Sequence, residues 1–368
     1  MSTGSVRISV DTLQSFMVDV FTGVGVPPDD ARITAEILIT SDLFGIESHG
    51  VGRLKMYYDR IKAGVQMPVT ELEVVKDTPT TAVIDGHMGM GQVIGYRAMR
   101  MAIDKARQYG MGSVAVRNSS HFGIDGYYPL MATREGMVGM SFTNARPSIA
   151  PTFSVQPMLG TNPIAFGAPT DEPFPFLFDA ATSITQRGKI EVLDRAEKPT
   201  PAGWVIGADG KAATDSKQIL QDLTQGRAAL LPLGGLGESM GGHKGYGLAT
   251  MVEIFSGAFQ GGAYLEQLTD VDAEGRRQPL RLGHFFMAID VEHFIPLDEF
   301  KRITGDIMRQ LRAARKAPGQ ERIYTAGEKE YYNAQRIRRE GVEANPNLQK
   351  ALKAMQQELG LSQYQLGF

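Results

Sequence analysis

The sequence predicts an α/β (α+β) protein, in which a largely mixed or antiparallel sheet is joined to a helical domain built from both chain ends. Three observations carry this. Residues 1–75 and 292–368 read as mostly helical, whereas residues 76–291 read as short strands between turn residues. Many connections between those strands are too short for the helical crossovers that a parallel sheet needs. No G-x-G-x-x-G occurs in the chain, so the usual sign of a doubly wound nucleotide-binding fold is absent.

In chain order, Ser9 is positioned to cap a helix carrying Val10, Leu13, Met17, Val20 and Phe21 on one side, with a stop near Gly23. Pro27-Pro28-Asp29-Asp30 starts a second helix with acidic residues in its first turn. After the break at Gly45 to Gly50, a third helix runs from about Gly52 to Ala63. Thr81 to Asp85 reads as a strand, Val93 to Tyr109 as a helix ended by Gly110, and Gly112 to Val116 as a strand. Short strand-like runs follow at Gly136 to Phe142, Ile164 to Ala168, Phe174 to Asp179 and Gly283 to Ile289. Residues 194–228, rich in Pro, Gly, Asp and Lys, read as a surface excursion, and Gly247 to Phe259 as a helix. Leu297 to Arg315 and Gly327 to Arg339 return to helical periodicity, and the two helical ends are expected to pack together as one discontinuous domain.

Composition excludes several functions. A chain of 368 residues with 42% hydrophobic content can bury a full core and suggests two domains. A formal charge of −3 offers no basic surface for nucleic acid. Without cysteine there is no disulfide, thiolate nucleophile or thiolate-bound metal, and the six histidines lack ligand spacing. No apolar run approaches the roughly 20 residues that span a bilayer. The opening residues show no signal-peptide pattern, so a soluble cytoplasmic protein is expected.

Five stretches carry candidate chemistry. Ser119-Ser120-His121-Phe122-Gly123 places an imidazole at a strand end, where it can exchange a proton near neutral pH; a serine-capped loop histidine is the plainer reading. Ser48-His49-Gly50-Val51-Gly52-Arg53 sets a hydroxyl, an imidazole and a guanidinium at the mouth of a helix, where the arginine can grip a carboxylate bidentately. Asn144, Arg146 and the turn Gly160-Thr161-Asn162-Pro163 can line a cleft or simply build turns. Asp179-Ala180-Ala181-Thr182 suits close approach of a ribose or pyrophosphate, or a helix cap. Gly241 to Gly247, with His243, Lys244 and Gly245, leads into a helix whose free N–H groups can hold a phosphate.

Taken together and in this order, Ser48-His49-Gly50 with Arg53, Ser120-His121-Phe122-Gly123, Gly160-Thr161-Asn162-Pro163, Asp179-Ala180-Ala181-Thr182 with Arg187-Gly188-Lys189, and His243-Lys244-Gly245-Tyr246-Gly247-Leu248 resemble the type-2 malate/L-lactate dehydrogenase family. That family also includes ureidoglycolate and sulfolactate dehydrogenases and cyclic-imine reductases. The resemblance covers nearly the whole chain. One departure is the segment Gly235 to Gly241, longer than in compact members.

The resemblance implies a non-Rossmann NAD(P)-binding α/β domain and a homodimer. It implies hydride transfer between a nicotinamide cofactor (NAD, with NADP possible) and a small 2-hydroxy/2-oxo acid such as malate or lactate. His121 matches the family's acid–base histidine and Arg53 its carboxylate arginine, with Ser48, Asn144 and Thr161 as further substrate contacts. The cofactor contacts fall on His49, Gly123, Ile124, Asp179, Ala180, Ala181, Lys189, His243, Lys244 and Gly245. Asp125 or Asp179 is the candidate to orient His121. Reduction of cyclic imine 2-carboxylates and non-catalytic nucleotide binding are the alternatives.

Overall fold

Ser9 caps the first helix as expected: its hydroxyl accepts the Thr12 N–H at 3.1 Å. The computed structural model describes residues 4–368. Strand β1 (Val6–Ile8) precedes helices α1 (Val10–Gly23), α2 (Pro28–Leu43) and α3 (Leu54–Lys62). The central part begins with β2 (Glu73–Asp77), β3 (Thr81–Asp85), α4 (Gly91–Tyr109), β4 (Met111–Ser119), α5 (Tyr127–Arg134) and β5 (Met137–Thr143). It continues through β6 (Ile164–Ala168), β7 (Phe176–Ala180), α6 (Arg187–Arg195), β8 (Val205–Gly207), α7 (Ser216–Thr224) and β9 (Ala228–Leu230). Helix α8 (Gly242–Glu253) runs into a π-helical turn, Ile254–Ala258, before the long strand β10 (Leu282–Asp290). Helices α9 (Leu297–Ala313) and α10 (Glu328–Glu340), strand β11 (Val342–Ala344) and helix α11 (Pro346–Glu358) complete the chain.

The seven-stranded sheet has the order β2-β3-β4-β10-β5-β6-β7. Only β3 and β4 pair in parallel, and α4 is their crossover; every other pairing is antiparallel. The mixed, non-Rossmann sheet expected from the short connections is therefore borne out. One face of the sheet packs on α4 and α5, where Ile94, Ala98, Met99 and Ile103 meet Val114, Val116 and Phe286. The other face meets α8 and its π turn, and Phe255 stacks on Phe142 at 4.9 Å between ring centroids. Each such aliphatic or aromatic side chain contributes roughly 1.5–3 kcal/mol by leaving water.

Both chain ends share one apolar cluster, in which Phe16, Met17 and Tyr57 pack with Ile337, Leu352 and Met355. Strand β1 pairs with β11 across the same junction. Helix α9 instead lies against the sheet, through Leu297 and Phe300 beside Val138 and Ala168.

Three expectations need correction. Residues 1–75 are not all helical: β1 and the start of β2 lie there, and a three-residue strand is too short to show alternation. Residues 194–228 are not a bare excursion, because β8, α7 and β9 close over a small core of Ile190, Val205, Ile219 and Leu230. Helix α8 starts at Gly242 rather than Gly247, since its first turn is pressed onto the 233–237 loop. A Cβ on Gly242 would stand 2.0 Å from the Gly235 carbonyl oxygen.

Candidate active site

Strand β4 ends at Ser119, and the next two residues build the site. Ser120 is pinned to the start of α4: its hydroxyl donates to Gly89 O at 2.8 Å and accepts Gly91 N–H at 2.9 Å. His121 is thereby held at the strand end with little freedom. Gly123 lets the chain turn away with φ +86°, and a Cβ there would collide with Ile37 at 2.6 Å.

His121 faces α3. The Tyr57 hydroxyl lies 2.6 Å from Nδ1, and the Gly123 N–H reaches the same nitrogen at 3.4 Å. Nε2 has no protein partner among the described residues. The His49 ring stacks on the His121 ring, 5.5 Å away and 24° inclined. Ser48 Oγ holds His49 Nδ1 at 2.8 Å. Arg53 Nε donates to Ser48 O at 2.6 Å, and its terminal nitrogens are unpaired among the described residues. The loop that carries these groups is tied down from α2, where Asp42 Oδ2 accepts the Val51 N–H at 2.7 Å.

These side chains line a cavity of about 500 Å³. It brings together Ser48, His49, Arg53, His121, Gly123, Ile124, Asn144, Thr161, Asp179 and Ala181, with Asp125, Gln186, Arg187 and Gly188 beside them. Ala180, Lys189, His243, Lys244 and Gly245 do not line it. His243 and Lys244 are exposed on the first turn of α8, and Gly245 is buried against the 233 backbone. Asn144 reaches the wall, but its amide is committed to the backbone: Nδ2 donates to Ala263 O at 3.0 Å and Oδ1 accepts Gly283 N–H at 2.9 Å.

Neither carboxylate proposed to orient His121 touches it. Asp125 accepts the Ser141 hydroxyl at 2.5 Å, and Asp179 accepts the Gly126 N–H at 2.7 Å. The side chain that does contact His121 Nδ1 is Tyr57, one turn into α3 from its N-cap residue Arg53. That i, i+4 spacing from Arg53 is the signal that sequence reading passed over.

Burial holds the His121 imidazole well below its usual range, helped by His49, Arg53, Arg60 and His284. Burial likewise lowers His49 to about 4. Tyr57 is pushed above the usual phenol range by burial, so it stays neutral. Burial, then the Asp179 charge, pushes Asp125 well above the carboxylate range. Its Oδ2 is buried and unpaired. A neutral carboxyl in that position can donate one O–H to an uncharged amide. The cavity volume lies within the roughly 300–1,000 Å³ of small-molecule and cofactor sites. Both features fit the carboxamide end of a nicotinamide.

Comparison with known proteins agrees. A family model described as malate/L-lactate dehydrogenase matches residues 8–353. The malate dehydrogenase of Pyrococcus horikoshii is 48% identical over 324 residues, 88% of this chain and 87% of that one. The L-sulfolactate dehydrogenase of Methanocaldococcus jannaschii is 38% identical over 95% of this chain and 96% of its own. A crystal structure of malate dehydrogenase from Entamoeba histolytica superposes with a TM-score of 0.94 at 43% identity, covering 99% of this chain and all of the other. Fold and matches together define a dehydrogenase-type oxidoreductase, and such relatives imply a nicotinamide cofactor. The chain belongs to the malate/L-lactate dehydrogenase family. Among the described residues, no helix is long and apolar enough to cross a membrane.

Proposed function

We propose that this protein transfers hydride between NAD(P) and a small 2-hydroxy/2-oxo acid, with His121 as general acid and base. The observation that carries the reading is the grouping of His121, with Nε2 unpaired, and Arg53, with its terminal nitrogens unpaired, on one cavity. A bound nicotinamide supplies the hydride acceptor or donor. Gly123, Ile124, Asp125 and the Asp179 to Ala181 turn would hold it, and NAD is favoured over NADP on the resemblance alone.

Arg53 fixes the substrate carboxylate through two parallel hydrogen bonds, so the reacting carbon stands beside His121. In the oxidation direction, neutral His121 takes the hydroxyl proton at Nε2 while Nδ1–H donates to the Tyr57 oxygen, a 2.6 Å contact that outweighs the long 3.4 Å approach of the Gly123 N–H to the same nitrogen. In reduction, the imidazolium returns that proton to the carbonyl oxygen. An anionic substrate on Arg53 cancels part of the positive field that holds His121 low, so substrate binding itself favours protonation. The reading includes a homodimer, twice the 40.1 kDa chain by light scattering. Following the absorbance of NADH or NADPH against a panel of 2-oxo acids tests the function. Turnover of at least one acid is expected, and none with either nucleotide defeats the proposal.

A further inference from the structure

Gln92 stands on the first turn of α4 with none of its surface exposed, yet neither its amide oxygen nor its amide nitrogen has a hydrogen-bond partner among the described residues. Buried side-chain amides are ordinarily paired. The start of that helix is pressed onto the strand end that carries His121. A Cβ on Gly91 would stand 2.3 Å from the Ser120 carbonyl oxygen and 2.6 Å from that of His121. Met90 and Val93, close to Gln92 in the chain, pack in the same apolar cluster as Tyr57. Burial raises the Tyr57 phenol, while Arg53, Arg60 and the Gln92 amide pull it back. An amide exerts that pull only from hydrogen-bonding range of the hydroxyl.

The Tyr57 oxygen lies 2.6 Å from His121 Nδ1. Once His121 is an imidazolium, both ring nitrogens carry protons, so the phenol oxygen has to accept Nδ1–H. Its own proton then needs a different acceptor. Tyr57 is buried away from bulk water, and its hydroxyl bonds no other protein group among the described residues. The carbonyl end of Gln92 is the unpaired acceptor beside it. Toward a phenolate the amide would present N–H, which is what lowers the phenol. Toward a neutral phenol that accepts Nδ1–H it presents oxygen. The last torsion of a glutamine is broad and twofold, so either end is available without strain.

We infer that Gln92 is a positioning residue that sets the direction of a hydrogen-bond chain, from His121 Nδ1–H to the Tyr57 oxygen and from Tyr57 O–H to Gln92 Oε1. This rests on the reading of His121 as general acid and base. The chain leaves Nε2 of the neutral ring bare toward the cavity, the state that accepts a hydroxyl proton. Without the Gln92 oxygen the Tyr57 proton turns to Nδ1, joined by the Gly123 N–H at 3.4 Å, and the ring proton moves to Nε2.

Imidazole nitrogen NMR at neutral pH reads this tautomer without turnover, and His121→Ala identifies the signals. Wild type should carry the proton on Nδ1. Gln92→Met, apolar and of similar size, should move it to Nε2. Gln92→Glu, which keeps an acceptor oxygen at the same reach, should hold it on Nδ1. A wild-type proton on Nε2 overturns the inference, and this outcome needs no variant to fold. An unmoved proton in Gln92→Met overturns it too, as does a Gln92→Glu variant that behaves like Gln92→Met. In turnover, kcat for oxidation should fall about tenfold in Gln92→Met, roughly the worth of one hydrogen bond. KM for the acid should stay within about twofold, and Gln92→Glu should recover most of the loss. In a Tyr57→Phe background, Gln92→Met should cost nothing further, whereas a packing role would add its loss in full and overturn the inference. If wild type turns over no acid, the hydride-transfer proposal has failed, and the tautomer still decides the role of Gln92.

Discussion

The Tyr57 hydroxyl meets His121 Nδ1 at 2.6 Å, with the two rings 5.9 Å apart. For Nε2 to accept a proton, Nδ1 must carry one, and the Tyr57 oxygen is placed to receive it. Under the proposed function the phenol, kept neutral by burial, would select the tautomer and steady the imidazolium. Tyr57→Phe removes that acceptor. Losing about 1.5 kcal/mol from the imidazolium lowers its pKa by about one unit. The basic limb of the reduction pH profile should therefore move down by about one pH unit. A purely structural role would leave the profile in place.

His121→Ala removes the proton exchanger itself. Turnover should fall roughly 10²- to 10⁴-fold, the usual worth of general acid–base catalysis. NADH affinity, followed by fluorescence, should survive. Near-normal kcat would show that another group moves the proton.

Lys244 offers a contrasting case. It lies exposed on the first turn of α8, away from the cavity, although Leu233 in the preceding loop binds Thr182 O at 2.7 Å. If that helix start holds a cofactor phosphate, Lys244→Ala should weaken NADH or NADPH binding about tenfold or more. Unchanged Kd for both nucleotides removes Lys244 from the site.

What could be read from the sequence follows from the range of the forces involved. Local signals were legible: the Ser9 cap, the Gly110 stop of α4 at φ +85°, and the acidic first turn of α2 each act within a few residues. The mixed sheet was legible because short connections forbid crossovers. The pairing of β10 between β4 and β5 joins residues more than 100 positions apart, and no local pattern encodes it. In the site, His121 and Arg53 announce themselves by residue type and motif. Tyr57 reads instead as a core aromatic, and it is one, except for the oxygen at its tip. Asn144 lines the cavity as expected, but its amide also bonds the Ala263 and Gly283 backbone, a commitment that no local pattern encodes.

Asp42 links stability to pH. It is buried beneath the loop that carries His49, and burial raises its carboxyl to about 7. Between about pH 4 and pH 7 the native state keeps a proton that the unfolded chain has released. Stability therefore declines as pH rises through that window, by an order of a few kcal/mol from this group. Asp42→Asn keeps an oxygen to accept the Val51 N–H but does not titrate. Denaturant melts of the variant should show less decline from pH 4 to pH 7 than wild type. An identical decline would mean that Asp42 ionises freely in the native state.

Arg53→Lys separates carboxylate recognition from simple charge. Arg53 pairs with neither Glu47 nor Asp59: the first makes no ion pair with it, and the second belongs to Lys55. One of its nitrogens, Nε, is already used to hold Ser48 O, which aims the terminal pair into the cavity. Lysine keeps the charge but offers neither the Ser48 bond nor two parallel donors in one plane. A site that needs only a positive potential would barely respond. A bidentate site should lose about 2–3 kcal/mol of transition-state binding, or roughly 30- to 150-fold in kcat/KM. If Arg53 acts on the acid and not on the nucleotide, the Kd for NADH alone should stay within about twofold. The loss should also fall on mono- and dianionic 2-oxo acids alike, since both present the same carboxylate to Arg53. Full kcat/KM in Arg53→Lys on the best acid would place the substrate carboxylate elsewhere in the cavity.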